Sequence, residues 1–533
     1  MNKKIKMTCP WLMVLFVLAM AGCKKDQFLT RDNPTSTTDV QWWNLESDLV
    51  TALATVYQGL PSGTVYDYGF LDNVWMHRSG ITDESVFRGN FGDWQDYPVG
   101  AVTTQEYSVL LTYQAYYKYI RSASRFIENY SKAYVADSAK KKRYEQEARA
   151  LRAWYHMQLF MLYGPIPVVD HSLTAQDESI KRNTQEEIVN FIISELETAA
   201  ADLPLNYSSS DLQRITKGCC YAMETQLYMF IGDYGNTIKA ARKVMDLGRY
   251  GLYPNYFKLF QYDGGGSSED ILMKIGGERE GFFRNAPKSF GCQACNSPTQ
   301  SLVNTYETLQ GKTLAELGAD SFAIYNANPE YNNNRDPRLA ASIAVPGEVY
   351  MGTMLDPWSA NSPDKIGVTQ STYTGYWIKK YVDVLDRGNT YGGGMNFHII
   401  RYAEILLDYA EALIESGDYT NEDVYTNLNA IRNRAGMPEV DRAVYNTQAK
   451  LRELVRRERM VEFSFEGPRL LDIRRWKIAK DVLTGPVLGA VDPSTGKNVV
   501  VEQRVFNTGK DYLWPIPLSE MTSNPNMTQN PGW

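Results

Sequence analysis

Long segments with a helical apolar period, each closed by a glycine or proline turn and many followed by another such segment, restrict this chain to a mostly α fold. Over residues 143–163, Leu151, Trp154, Tyr155, Leu159 and Leu162 fall on one side, and Gly164-Pro165 ends the run. Residues 216–230 and 234–247 flank Gly232-Asp233, the spacing of an antiparallel helix pair. The same period predicts helices over 45–57, 107–130, 184–200, 399–415, 421–434, 447–463 and 470–483. Helix, short turn, helix units with tyrosine and alanine in the seam predict a tetratricopeptide-like scaffold of stacked helical hairpins.

Residues 251–395 differ. Gly264-Gly265-Gly266, Gly276-Gly277, Asn332-Asn333-Asn334 and Gly392-Gly393-Gly394 punctuate short strands expected at 270–275 and 339–345. Two more strands are expected around 497–506 and 512–516. The expected organisation is a body over 41–533, with a helical scaffold at 41–250 and 396–485 and a loop-rich inserted ligand-binding region at 251–395.

The amino-terminal segment carries a separate message. Lys3, Lys4 and Lys6 precede an apolar run from Trp11 to Ala21 that is short for a membrane span, so 1–22 reads as a signal peptide. Leu18-Ala19-Met20-Ala21-Gly22-Cys23 places small residues before a cysteine, the pattern of a lipoprotein signal, with Cys23 as the acylated residue. Residues 23–40 then read as the lipidated cysteine and a polar tether. Several acyl chains on one residue would anchor the protein to a membrane more firmly than one chain can.

Loss of these 22 residues removes three lysines and no acid, moving the net charge from -7 to -10. A nucleic-acid partner is not expected, because no basic face is evident and Arg452, Arg456, Arg457 and Arg459 alternate with Glu453, Glu458 and Glu462. Arg152, Arg401, Glu404, Glu411, Arg432, Glu458, Arg459, Glu462 and Arg469 lie in apolar helices or at their ends. Charges so placed need partners, which predicts internal ion pairs that hold helices in register. Reading Glu458 and Glu462 as an acid-base pair is disfavoured by the arginines around them.

The sequence reads as non-enzymatic: it has no H-E-x-x-H helix, G-x-S-x-G elbow, phosphate-binding glycine loop or dinucleotide fingerprint. No cofactor and no metal site is assigned. Cys219 and Cys220 read as buried small hydrophobes. Cys292-Gln293-Ala294-Cys295 reads as a possible disulfide, with free thiols or a redox or zinc half-site as the other readings, the last lacking a second ligand pair. The chain holds 36 Tyr, 11 Trp and 19 Phe, and Trp and Tyr suit both stacking on sugar rings and filling helix seams.

Several stretches together resemble the RagB/SusD family of nutrient-binding surface lipoproteins of Bacteroidetes. They are Glu147-Ala148-Arg149-Ala150-Leu151-Arg152-Ala153-Trp154-Tyr155 leading to Tyr163-Gly164-Pro165, and Ile400-Arg401-Tyr402-Ala403-Glu404-Ile405-Leu406-Leu407-Asp408-Tyr409-Ala410-Glu411-Ala412. Ile431-Arg432-Asn433-Arg434-Ala435-Gly436, Glu458-Arg459-Met460-Val461-Glu462-Phe463, Asp472-Ile473-Arg474-Arg475-Trp476 and the closing Trp514-Pro515-Ile516-Pro517 continue the match. The resemblance implies a SusD-like helical body, a glycan ligand held by a loop-rich face, surface exposure, and a partner, a SusC-like TonB-dependent outer-membrane transporter that receives the ligand. Capture of peptides or another nutrient is the alternative, with a carbohydrate-active enzyme behind it. Some relatives hold calcium, but the acids over 383–386 lack the spacing of a calcium loop.

Two regions supply ligand-binding candidates. Residues 66–97 carry Trp75, Arg78, Asp83, Trp94 and Tyr97 among glycines, a mixture of stacking faces and hydrogen-bonding tips, and the resemblance points to Trp94 and Tyr97 within an aromatic arc. The middle insertion adds Trp358 in a polar turn, Tyr373, Trp377 and, as a polar companion, Asn296. The stretch 376–381 also reads as a strand with one aromatic set in the core.

Overall fold

The computed structural model describes residues 42–62, 75–87, 94–174, 177, 179–208, 211–389 and 391–533. The signal segment, Cys23 and the tether lie outside the described residues.

Helices α1 (Glu46–Tyr57), α2 (Tyr107–Asn129), α3 (Ser138–Tyr163), α4 (Gln185–Asp202), α5 (Lys217–Ile231) and α6 (Tyr234–Asp246) precede the middle region. Helices α7 (Tyr402–Glu415), α8 (Glu422–Arg434), α9 (Gln448–Glu462) and α10 (Arg469–Trp476) follow it, and α11 (Leu518–Ser523) lies near the end. Neighbours pack in sequence, α2 on α3, α3 on α4, α4 on α5 and α5 on α6, while α7 closes against α6, α8 and α9. This is the mostly α, tetratricopeptide-like scaffold that the periodicity predicts.

Local chemistry sets the ends. Thr184 accepts from the Glu187 amide at 3.2 Å while the Glu187 carboxylate accepts from the Thr184 amide at 2.8 Å, a capping box that starts α4. Gly232 takes a left-handed conformation (φ 77°) and Asp233 caps α6 through the Asn236 amide, which makes the tight turn between α5 and α6.

The strands pair antiparallel in twos: β1 (Ser85–Phe87) with β3 (Asn296–Pro298), β2 (Asp270–Glu278) with β8 (Met395–Arg401), and β4 (Ile343–Ala344) with β7 (Trp377–Ile378). The hairpin β5 (Val349–Tyr350) and β6 (Thr353–Met354) and the pair β9 (Gly485–Asp492) and β10 (Lys497–Arg504) complete them.

Four expectations are corrected. Residues 399–401 belong to β8, where His398 and Ile400 register with Met273 and Leu272, so the helix starts only at Tyr402. The strand expected at 339–345 shrinks to Ile343–Ala344, because Asp336 caps and Pro337 starts a helical turn, Pro337–Ser342. The helix expected over 470–483 stops at Trp476, where Lys477 is left-handed (φ 57°). Residues 512–516 form no strand; the Trp514 amide instead donates to the Leu162 carbonyl at 2.9 Å.

The charges inside the helices pair as their burial demands. Arg401 meets Glu466 at 2.6 Å and Glu462 at 3.0 Å and also contacts Glu269, and Arg459 holds Asp472 at 2.9 Å and Asp408. Arg152 pairs with Glu195 and Arg469 with Asp83, both at 2.6 Å, while Arg432 meets Glu307 at 3.0 Å and Glu411 takes Arg475 at 2.6 Å. These pairs join segments far apart in sequence, so each also fixes how two elements sit. Glu404 is the exception: its carboxyl accepts from Gln226 at 3.0 Å, and burial beside Asp408 pushes it up to about 8.

Candidate functional site

The expected contacts in the first region lie in the core. Trp94 is 2% exposed, and its ring sits 5.5 Å from Tyr97, which packs 5.3 Å from Trp514 and shares a 2.9 Å hydrogen bond with Ser108. Trp75 is buried between Trp154 and Phe397, and the buried Arg78 guanidinium lies over its ring. Asp83 is spent on a two-pronged pair with Arg469, at 2.7 and 2.6 Å. Asn296 is fully buried in β3 and donates to Asn285 at 3.2 Å. Trp94, Trp75, Arg78, Asp83 and Asn296 are therefore buried, Trp75 and Arg78 beside a small cavity of about 40 Å³, and Tyr97 is half-buried. A flat apolar ring gains more by filling a helix seam than by facing water, and these rings had seams within reach.

The middle region gives a mixed outcome. Trp377 is fully buried in β7, where Ala344 pairs with it. It belongs with Phe282, Cys292, Tyr350 and Val382 to a small core of its own, on which Phe283, Phe290 and Met351 pack from outside. Trp358 and Tyr373 are half-buried. Their loop is tied to the neighbouring turn by the Ser289 amide, which donates to Asp364 at 2.9 Å, and by the Lys288 ammonium on the Thr369 carbonyl.

The disulfide reading is overturned. Cys292 and Cys295 are free and buried, because Cys292 enters the small core while Cys295 enters the main one. Burial pushes the Cys292 thiol up to about 12 and the Cys295 thiol up to about 11, so neither is a ready nucleophile or metal ligand.

Above the small core stands an aromatic surface that the sequence reading missed. The short helix Gly281–Asn285 sets Phe283 half-exposed, and Tyr391 lies across it with ring centroids 4.3 Å apart and planes inclined at 41°. Tyr391 is 62% exposed. Its glycine-rich loop is fastened by Asn389 Nδ2 to the Gly392 carbonyl (3.0 Å), the Gly393 amide to the Arg279 carbonyl (2.9 Å), and the Gly394 amide to the Tyr262 hydroxyl (2.8 Å). Beside this pair, the exposed Arg387 guanidinium covers the half-buried Phe290 ring at 4.5 Å and donates to the Met351 carbonyl at 3.0 Å. Asp383 caps the turn Val384–Gly388 that carries Arg387, and Asp386 accepts from Tyr262 at 2.6 Å. The apolar residues Val349, Met354, Val384 and Leu385 are also exposed in this region.

This surface offers the exposed Tyr391 ring lying against Phe283, whose ring also meets the Arg284 guanidinium at 5.4 Å, the Arg387 cation, and rings whose positions are set by a packed core beneath. Among the described residues no cluster of three His, Cys, Asp or Glu is placed to hold a metal ion. The one clue in the sequence was Tyr391 inside Asn389-Thr390-Tyr391-Gly392-Gly393-Gly394, since a bulky aromatic amid glycines has no periodic core position to occupy.

The family assignment rests on sequence and shape together. The profile of the SusD family matches residues 257–533, slightly more than half the chain, and a second profile, described as starch-binding and associating with the outer membrane, matches residues 29–229. The chain belongs to the RagB/SusD family. The SusD-like protein P2 of Formosa agariphila is 26% identical over 405 residues, 73% of each chain. A SusD-like carbohydrate-binding protein from Bacteroides fragilis superposes with a TM-score of 0.82 at 28% identity, covering 91% of this chain and 99% of that one. A second SusD-like protein from Bacteroides fragilis gives 0.80 at 26% identity, covering 93% and 99%. This SusD-like chain thus shares its fold over nearly the whole length of both.

Proposed function

We propose that this protein captures oligosaccharides or polysaccharides at the cell surface without cleaving them and passes them to a SusC-like TonB-dependent transporter in the outer membrane. The observation that carries the reading is the exposed Tyr391–Phe283 pair beside Arg387 and Phe290, in a molecule whose other large aromatic rings mostly fill its core. Sugar rings present apolar faces of CH groups edged by hydroxyls, which match an aromatic face flanked by guanidinium donors. Trp358 and Tyr373 are half-buried on the loop that the Ser289 amide ties to Asp364, and they are second candidates for ligand contact. The carbohydrate-binding relative in Bacteroides fragilis supports the ligand class, and the second profile supports the outer-membrane setting.

Acylation of Cys23 would hold the body at the membrane through the tether of residues 24–40, and the exposed Val349, Met354, Val384 and Leu385 offer apolar surface for the transporter rim. Calorimetric titration of the protein against a polysaccharide panel, with each mixture assayed for new reducing ends, tests the proposal. Saturable binding with no new ends is expected; new ends would make the protein an enzyme. Replacing Cys23 by Ala is expected to release the protein from the membrane fraction.

A further inference from the structure

The charges around the aromatic surface are sorted unevenly. The segment that follows β2, residues 279–290, and the turn and loop 383–391 hold four cations, Arg279, Arg284, Lys288 and Arg387, against three carboxylates, Glu280, Asp383 and Asp386, in a chain whose net charge is -7. Each of these carboxylates is paired or turned inward. Glu280 takes Arg284 at 2.9 Å. Asp383 is buried and accepts from the Leu385 amide at 2.9 Å and the Tyr262 amide at 3.2 Å. Asp386 is buried and accepts from the Tyr262 hydroxyl at 2.6 Å, its other oxygen buried without a partner. Burial and the nearby Asp383 raise the Asp386 carboxyl, and no cation draws it down. Asp364, buried as well, accepts from the Ser289 amide at 2.9 Å.

Apart from Arg284, the cations are not matched. Arg387 is exposed, donates Nη1 to the Met351 carbonyl at 3.0 Å, and forms no ion pair among the described residues. Lys288 donates to the Thr369 carbonyl, and the exposed Arg279 accepts the Gly393 amide on its own carbonyl; neither forms an ion pair among the described residues. The core beneath registers the imbalance. The Arg387 charge opposes the rise of the Cys292 thiol with no carboxylate acting against it, whereas Arg284 and Glu280 act together on Cys295. The Phe290 ring, 4.5 Å below, holds the Arg387 guanidinium in place. Two turns, closed by the Asn389 amide on the Asp386 carbonyl and the Gly392 amide on the Asn389 carbonyl, separate it from Tyr391. Four residues reach about 14 Å at most, within the span of a short oligosaccharide, so one ligand can lie on Tyr391 and meet Arg387. Sugar hydroxyls both donate and accept, but the unpaired charged groups here are donors only, which matches an oxyanion. A guanidinium grips a carboxylate or similar oxyanion through parallel donors. We propose that the glycan captured on this surface is acidic, its carboxylate or sulfate ester held by Arg387 while a sugar ring lies on Tyr391; the inference rests on the glycan-capture reading.

The test is calorimetric titration of the full chain in detergent against matched polymers: polygalacturonate and its methyl ester for a carboxylate, dextran sulfate and dextran for a sulfate ester, with starch as a further neutral glycan. At least one acidic polymer is expected to bind saturably, at least about tenfold more tightly than its uncharged counterpart, and the pair that shows this names the oxyanion. Raising sodium chloride from about 0.01 M to about 1 M shortens the Debye length from about 30 Å to about 3 Å and is expected to erase most of the preference. Arg387→Gln is expected to lose it as well. A preference that survives high salt or Arg387→Gln would overturn the proposal. So would a neutral polymer bound as tightly as any acidic one, an outcome that leaves glycan capture itself standing, whereas no binding by any polymer would sink both. The comparison of charged with uncharged polymers uses the unmodified protein and stands even if the variant fails to fold.

Discussion

The Tyr391 ring lies 4.3 Å, centroid to centroid, from that of Phe283, while most of its own surface stays in water. An exposed ring contributes little to folding, so Tyr391→Ala is expected to leave the free energy of urea unfolding within about 0.5 kcal/mol of wild type. Glycan affinity is expected to fall by about tenfold or more. Trp94→Ala and Trp377→Ala should behave in the opposite sense, each costing about 3–5 kcal/mol of stability because a buried ring leaves a cavity. If Trp94→Ala folds as well as wild type and abolishes glycan binding, the assignment of Trp94 to the core is wrong.

Arg338 is wholly buried and reaches Asp336 at 2.7 Å, Glu458 at 2.9 Å and Glu462 at 3.3 Å. Together with Arg401 and Arg434 it holds the Glu462 carboxyl well below the usual carboxylate range. Removing the cation alone, as in Arg338→Met, strands these carboxylates and is expected to cost about 3–5 kcal/mol in denaturant unfolding. A loss below about 1 kcal/mol would mean that the network holds no helices in register.

Glu404 gives a pH signature. Its carboxyl is raised from the ordinary 4.5 to about 8, so the folded protein retains a proton that the unfolded chain releases. The resulting stability is fully present below about 4.5 and is lost as the pH rises through about 8, with a slope of at most about 1.4 kcal/mol per pH unit between. Thermal or urea unfolding of wild type and Glu404→Gln across this window should give curves that lie closest in acid, wild type falling relative to the variant as the pH rises toward about 8. Parallel curves would show that Glu404 does not hold the proton.

Cys219, Cys220, Cys292 and Cys295 are all free and buried. Alkylation of the folded protein by a bulky maleimide is expected to be negligible at these positions, whereas unfolding without reductant should expose all of them. A mass lower by two hydrogens and a pair resistant to alkylation until reduced would restore the Cys292–Cys295 disulfide.

How far the sequence could be read depended on whether a feature was local. Asp233 after Gly232 and Thr184 before Glu187 set helix ends within a few residues, and both ends lie where expected. The apolar run at 399–401 satisfies either period and so reads as the start of a helix; only pairing with β2, more than a hundred residues earlier, makes it the end of a strand. The same limit governed the site. Trp94 sits in polar, glycine-bearing sequence that suggests exposure, yet Tyr97 with Trp514 supplied the seam that buried it, while Trp377 took the core side of the strand that 376–381 also suggests, against Phe282 and Tyr350.

By itself the sequence determined the mostly α class, the helix-turn-helix rhythm, the need to pair its internal charges, and the family, since period, caps and motifs are properties of neighbouring residues. Tertiary structure decided which carboxylate each arginine took, which aromatic rings became core, and that Tyr391, Phe283, Phe290 and Arg387 would meet on one surface. Exposure depends on what other segments bring to a residue's side, and many of those partners lie in elements distant along the chain, where no local pattern records them.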